Sequence, residues 1–162
     1  MFRFAIQFDR GRKDLTQLVQ TNSASMALPQ NLRLLLADDV RMTRWMLKQI
    51  LMNISRGRWS VDEAGTAEDA LAKVETQAYD VVFLDEDFGY DCVAKKVRKT
   101  GTSVTPTMRK VLAGTKTLII GCTMYVSEEH RQRALAVGQN DVLHKPIRRD
   151  NVRHMLAKHL AR

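Results

Sequence analysis

Short apolar runs alternate with longer amphipathic stretches along this chain, and that alternation limits its possible folds more than any other feature. The clearest run, residues 32–37, is apolar except for Arg33, which is typical of a strand buried on both faces. Further strands are predicted at 59–64, 81–84, 118–122 and 142–144. The stretch 41–53 between the first two strands has helical periodicity, with one face formed by Met42, Trp45, Met46, Ile50 and Leu51.

Helices are predicted in the other intervals as well. Thr66 and Asp69 resemble a capping box that opens a helix over 67–77, and Ser127 caps another helix that ends at Gly138. Additional helices are predicted over 90–99 and 150–161, with a short one at 108–112. Five strands alternating with about five helices predict an α/β fold, in which a doubly wound parallel sheet has helices on both faces.

Polar side chains that are able to bind ligands or take part in catalysis follow four of the predicted strands. Asp38 and Asp39 follow the first, Asp85 the third, Thr123 the fourth and Lys145 the fifth. Each of them alone is unremarkable, since Asp after a strand is often a turn former or a helix cap. Together they matter, because the carboxyl ends of parallel strands meet at one edge, where such folds bind ligands.

Three carboxylates crowded at one edge repel each other unless a cation lies among them. Hard oxygen ligands suit Mg²⁺, which prefers one or two carboxylates together with water and phosphate oxygens. The three carboxylates and Lys145 sum to −2, which one divalent ion neutralises. The set therefore predicts a Mg²⁺ site that receives an anionic phosphoryl group, with an aspartate as the nucleophile.

The formal charge of +8 is unevenly distributed, which argues against nucleic-acid binding. Residues 32–90 hold eleven acidic and seven basic side chains, whereas residues 91–162 hold five acidic and fifteen basic ones. The acidic segment carries most of the predicted metal site. With two cysteines, no apolar run long enough for a membrane span and no signal peptide, an intracellular, cytoplasmic protein is expected.

Residues 32–162 resemble the receiver domains of two-component response regulators. The resemblance lies in "LLLADDV" with Asp38 and Asp39, "YDVVFLDED" with Asp85, "LIIGCT" with Thr123 and "AVGQNDVLHKPI" with Lys145. It implies a flavodoxin-like sheet of strand order 2-1-3-4-5. The chain would then be a signalling domain that catalyses its own phosphorylation and dephosphorylation, rather than a turnover enzyme.

The resemblance also implies a role for each site residue. Asp85 accepts a phosphoryl group from a phosphohistidine on a histidine kinase or phosphotransfer protein, and the phosphorylated form changes conformation. Asp39 and Asp85, with the backbone carbonyl of Asp87, hold Mg²⁺, while Asp38 acts mostly through water. The Thr123 hydroxyl and the Lys145 ammonium bind the phosphoryl oxygens.

Two alternatives fit part of the pattern. "VVFLDEDFG" also resembles the first motif of haloacid dehalogenase-type phosphohydrolases, with Asp85 as nucleophile and Asp87 as general acid/base. That reading leaves Asp38 and Asp39 unexplained and lacks the later acidic motif. The other alternative is a pseudo-receiver, a scaffold that binds partners without phosphorylation. The sequence departs from the receiver pattern in the loop 86–91 and at Met124, where a small residue is usual and a large side chain is expected to narrow access to Asp85.

The N-terminal residues 1–31 are expected to form a strand or arm followed by a linker. The alternating "MFRFAIQF" predicts a strand and resembles the closing strand of histidine-kinase ATP-binding domains. A kinase remnant followed by a receiver is the order of a hybrid histidine kinase, and an ordinary arm is the alternative. No ATP-binding glycine motif accompanies the strand, so the chain is not expected to be a kinase by itself.

Overall fold

The computed structural model describes residues 27–91, 96–97, 99–125 and 127–160. The strand predicted in the first eight residues lies outside these ranges. Five strands form the main sheet: β1 (Arg33–Ala37), β2 (Ser60–Ala64), β3 (Val81–Asp85), β4 (Leu118–Thr123) and β5 (Asp141–His144). All neighbours are parallel and the order is β2-β1-β3-β4-β5, which confirms the predicted 2-1-3-4-5 topology.

Five helices complete the described fold: α1 (Arg41–Ser55), α2 (Ala67–Thr76), α3 (Gly101–Val111), α4 (Glu128–Ala136) and α5 (Arg149–Leu160). The predicted caps at two of them are confirmed. Thr66 accepts a hydrogen bond from the Asp69 amide, and Ser127 accepts one from the His130 amide. Each hydroxyl satisfies an amide that has no partner within the helix.

The sheet separates two apolar clusters because alternate residues of its strands face opposite sides. In β1, Leu34 and Leu36 pack with residues of α1 and α5, whereas Leu35 packs with residues of α2 and α3. Residues 81–85 of β3 are all buried, as expected for a strand covered on both faces. The helices therefore lie on both faces of the sheet, as predicted.

The segment between β3 and β4 differs from the prediction. The helix expected over 90–99 is wrong where the structure describes this segment: Tyr90–Asp91 and Lys96–Val97 are short antiparallel strands. The helix α3 begins instead at Gly101, in a stretch whose Thr, Gly, Ser and Pro content favours a loop. Thr100 and Ser103 form a full capping box there, and burial of Val104 and Met108 overrides the weak helix propensity.

The face of α1 that contacts the core also differs from the apolar face read from the sequence. Leu47 and Leu51 are buried, whereas Met42, Trp45 and Met46 are each more than half exposed. Of the residues in the predicted apolar face, Leu51 is the one that is fully buried. The helix thus keeps a row of large apolar side chains on its outer surface.

Candidate phosphoacceptor site

The carboxyl-end edge of the sheet brings three aspartates together. Asp38 directly follows β1, Asp39 is the next residue, and Asp85 is the last residue of β3. One carboxylate oxygen from each lies within 4.8 Å of the others. The register pairs Ala37 with Leu84 across β1 and β3, so the two strands end at the same level and deliver their acids to one place.

Lys145 bridges two of these acids. Its Nζ donates hydrogen bonds of 2.7 Å to Asp38 Oδ2 and of 2.7 Å to Asp85 Oδ1. The backbone amide of Lys145 donates to the Thr123 carbonyl at 2.7 Å, which fixes the residue just beyond β5. The predicted convergence of Asp38, Asp39, Asp85 and Lys145 is therefore present in the structure.

Burial and charge set the protonation behaviour of this cluster. Burial raises the pKa of Asp85 to about 6; the Lys145 hydrogen bond opposes that shift, and the nearby Asp38 charge adds to it. Burial lowers the pKa of Lys145, but its hydrogen bonds to Asp38 and Asp85 outweigh burial and leave that pKa above its ordinary value. The ammonium therefore stays charged, whereas Asp85 takes up a proton at a higher pH than an exposed aspartate does.

Thr123 and Asp87 lie beside the cluster in different settings. Thr123 ends β4 and is buried; its Oγ1 accepts a hydrogen bond of 3.0 Å from the Tyr125 amide. The Asp87 carboxylate is exposed and accepts from the Gly89 amide at 2.9 Å. It does not belong to the group of three carboxylates found among the described residues. Its backbone amide hydrogen-bonds to Asp85.

Two glycines near the cluster were missed by the sequence reasoning. Gly89 has φ +73°, and a Cβ there would lie 2.9 Å from Asp39 Oδ2. A Cβ on Gly101 would overlap the carbonyl oxygen of Asp85, so the first turn of α3 approaches β3 closely because this residue has no side chain. The one available signal was the glycine in "DEDFGY", which favours a turn rather than a helix start.

Glu86 is a third residue that the sequence reasoning missed. It is buried directly after Asp85, and its Oε2 accepts hydrogen bonds from the Thr102 amide at 2.9 Å and from the Thr102 hydroxyl at 2.6 Å. A carboxylate at the N-terminus of α3 is stabilised there by the unpaired amides and the helix dipole. Glu86 therefore faces α3 rather than the three aspartates.

Exposed apolar groups border the site on two sides. Met124 is 76% exposed, and the ring of Tyr125 lies 5.4 Å from that of His130. On the other side are Val40 and the outer face of α1, with Trp45 56% exposed. The large side chain of Met124 therefore lies mostly in solvent.

Sequence comparison assigns the family. The model of the response regulator receiver domain matches residues 34–157. The chain therefore belongs to this family: it is a receiver domain of two-component signalling systems. The phosphohydrolase and pseudo-receiver alternatives find no support in the comparisons.

Two curated relatives are sensor proteins. The chain is 29% identical over 153 residues to the sensor protein EvgS of Escherichia coli K12, covering 90% of this chain and 11% of that protein. It is 30% identical over 145 residues to the virulence sensor protein BvgS of Bordetella pertussis, covering 86% of this chain and 11% of that protein. The chain thus spans about a tenth of the length of these relatives.

Solved structures support the same fold. The chemotaxis protein CheY4 of Vibrio cholerae has a TM-score of 0.64 at 24% identity, over 80% of this chain and 98% of that one. The CheX–CheY–BeF3–Mg²⁺ complex from Borrelia burgdorferi has a TM-score of 0.62 at 21% identity, over 76% of this chain and 87% of that one. Among the described residues, no helix is long and apolar enough to cross a bilayer.

Proposed function

We propose that this receiver domain accepts a phosphoryl group on Asp85 and that Lys145 and Thr123 bind the transferred group. The observation that carries the proposal is the ammonium of Lys145 held between two buried carboxylates at the edge where parallel strands end. A positive charge beside a carboxylate nucleophile offsets the negative charge that an incoming phosphoryl group brings.

The proposed transfer takes place at one carboxylate oxygen. An Asp85 oxygen forms a bond to phosphorus while the bond from phosphorus to a donor histidine nitrogen breaks, and the electron pair stays on the imidazole. The hydrogen bond from Lys145 favours the ionised form of Asp85, which is the form that attacks phosphorus. Lys145 then exchanges its carboxylate contact for a contact to a phosphoryl oxygen, and Thr123 donates its hydroxyl to another.

We assign the metal site to Asp38, Asp39 and Asp85, with the backbone carbonyl of Asp87 as a further ligand. The donor set fits Mg²⁺, since all these ligands are oxygens and the carboxylates come within 4.8 Å of one another. The missing side chain at Gly89 leaves room beside Asp39. When bound, the ion neutralises phosphoryl charge.

The phosphodonor is proposed to be a histidine kinase or a histidine phosphotransfer protein inside the cell. The exposed apolar face of α1 beside the acidic cluster offers such a protein a contact surface. We also propose that the chain is the receiver portion of a longer hybrid sensor, with residues 1–31 joining it to a preceding kinase domain. An alignment covering 90% of the chain must include part of those residues, which supports this arrangement.

A beryllofluoride titration tests the proposed function. In the presence of Mg²⁺, beryllofluoride mimics the phosphoryl group, and Trp45 on the exposed face of α1 is expected to report binding through its fluorescence. The variants Asp85→Asn and Lys145→Met should abolish or strongly weaken saturation, whereas Asp150→Asn, an exposed acid on α5, should bind like the parent chain. Equal binding by the parent and Asp85→Asn would rule out Asp85 as the acceptor.

A further inference from the structure

A pocket lined by four arginines contains none of the residues of the phosphoacceptor site. It is formed by the end of α1, the turn that follows, the start of α5 and residues 27–30, and its volume is about 320 Å³. Arg56 and Arg58 reach it from the turn, and Arg149 and Arg153 reach it from α5. No acidic residue is among the described residues that line it.

Among the described residues, seven arginines, including these four, have no side-chain partner, and these four are distinguished by lining one pocket. Arg33, Arg44 and Arg131 each pair with a carboxylate, and Arg109 donates to carbonyl oxygens of two loops. Within the part of the chain that the structure describes, no side-chain hydrogen bond or ion pair joins any of the four pocket arginines to a partner. Arg149 and Arg153 are also one helical turn apart, a spacing at which like charges destabilise a helix.

We infer that this pocket binds a small soluble ligand that carries adjacent phosphate groups, such as a diphosphate. Guanidinium groups match phosphate oxygens with two parallel hydrogen bonds, and four of them exceed what a single carboxylate requires. The volume falls at the lower end of the roughly 300–1,000 Å³ usual for small-molecule sites. The amides of Gln30 and Asn53 add neutral hydrogen-bonding groups to the same wall.

The pocket also connects the ligand to the segment that enters the domain. Ala27 to Gln30 form one wall, and the buried Trp59 donates from Nε1 to the Pro29 carbonyl at 3.0 Å. A bound anion contacts both this segment and α5, so it holds the entering segment against the domain. None of Asp38, Asp39, Asp85 or Lys145 lines the pocket, and the inference does not depend on the proposed function.

Trp59 makes the binding measurable. The chain has two tryptophans, so Trp45→Phe leaves Trp59 as the one tryptophan, which is excited selectively at a wavelength where tyrosine does not absorb. Pyrophosphate is titrated into this variant in EDTA, at constant ionic strength, and calorimetry on the unmodified chain serves as a second readout. Saturable binding is expected, tighter for pyrophosphate than for orthophosphate. Absence of saturation up to about 10 mM, where even a millimolar site is filled, would overturn the inference.

Three arginine variants identify the site. Arg153→Gln and Arg58→Gln, on different elements, should each weaken pyrophosphate binding about fivefold, as expected for one exposed charge-assisted contact. Arg148→Gln removes the same charge next to Arg149 but outside the pocket, and should change binding less than about twofold. Equal losses in all three variants would mean a nonspecific charge effect. Binding to vesicles of phosphatidylglycerol without binding to pyrophosphate would favour a membrane surface and overturn the inference.

Discussion

Asp85 is held in surroundings that disfavour its charge. Burial raises its pKa from 3.8 to about 6 although Lys145 donates a hydrogen bond to it. The buried charge of Asp85 lowers the free energy of unfolding. This effect is fully present above about pH 6, where the carboxylate is ionised in both the folded and the unfolded chain. It is relieved as the pH falls, because the folded chain then takes up a proton before the unfolded chain does.

Asp85→Asn is therefore expected to stabilise the domain without divalent ions. The free energy of unfolding should rise by roughly 2 kcal/mol at pH 7, and the gain should shrink towards pH 4. Urea unfolding in EDTA at several pH values measures it, with the exposed Asp150→Asn as a control that shifts stability by less than about 0.5 kcal/mol. A gain that stays constant with pH would show that the carboxylate charge is not its cause.

Gly89 and Gly114 form a matched pair for testing the space beside Asp39. Both have positive φ, +73° and +80°, but a Cβ at Gly114 meets nothing within 4 Å. Alanine at either position should cost about 1 kcal/mol of backbone strain. Only Gly89→Ala should also weaken Mg²⁺ binding, which a titration of Trp45 fluorescence measures. Equal Mg²⁺ affinities in the two variants would mean that the Asp39 side of the cluster is not part of the metal site.

The elements divide into those that the sequence predicts well and those that tertiary structure decides. All five strands lie within one residue of their predicted bounds, and β1, β3 and β4 are the clearest because strands buried on both faces leave continuous apolar runs. α3 was misplaced, since composition around Pro106 favours a loop while the capping box and the buried Met108 favour a helix. Periodicity likewise cannot decide which of two apolar faces of α1 enters the core.

The capping box of α3 gives a prediction for that element. Thr100 accepts from the Ser103 amide at 3.1 Å, and Ser103 Oγ accepts from the Thr100 amide at 2.9 Å. Thr100→Ala should lower the free energy of unfolding by about 1 kcal/mol and speed amide exchange in the first turn of α3. Thr107→Ala, an exposed threonine within the same helix, is the control and should change stability by less than about 0.5 kcal/mol.

Across the whole molecule, the site was more predictable than the loops that support it. Asp38, Asp39, Asp85 and Lys145 follow strands, so their convergence at one edge follows from parallel topology. Glu86, Gly89 and Gly101, by contrast, lie where a loop or the start of α3 packs closely against neighbouring backbone or side chains. That close packing depends on where α3 begins, which the sequence pattern did not show.

Asp141 links three elements at the opposite end of β5 from Lys145. Its buried carboxylate accepts hydrogen bonds from Arg131 of α4 at 3.0 Å and from Lys158 of α5 at 2.7 Å. A second residue of α5, His159, lies with its Nε2 3.0 Å from the same carboxylate. Burial raises its pKa, but the Lys158 and His159 hydrogen bonds outweigh burial and hold the pKa well below its ordinary value. The cluster joins β5 to α4 and α5.

Asp141→Asn should therefore destabilise the domain in a pH-dependent way. The loss in free energy of unfolding should be about 2 kcal/mol at pH 7. The ionised Asp141 stabilises the fold fully above its unfolded pKa of about 4, and that contribution is lost as the pH falls towards the folded pKa. Between pH 3 and 6, the free energy of unfolding should therefore change more steeply with pH in the parent chain than in the variant. Parallel slopes would contradict the assignment.

Phosphorylation of Asp85 is the central claim, and peptide mass spectrometry tests it most directly. The chain is incubated with acetyl phosphate and Mg²⁺, the acyl phosphate is trapped by borohydride reduction, and the digested peptides are sequenced. One modification is expected, at Asp85. No modification is expected when EDTA replaces Mg²⁺ during the incubation, and none is expected in Asp85→Asn. A modification at Asp87, or a chain that stays unmodified while Mg²⁺ is bound, would contradict the account.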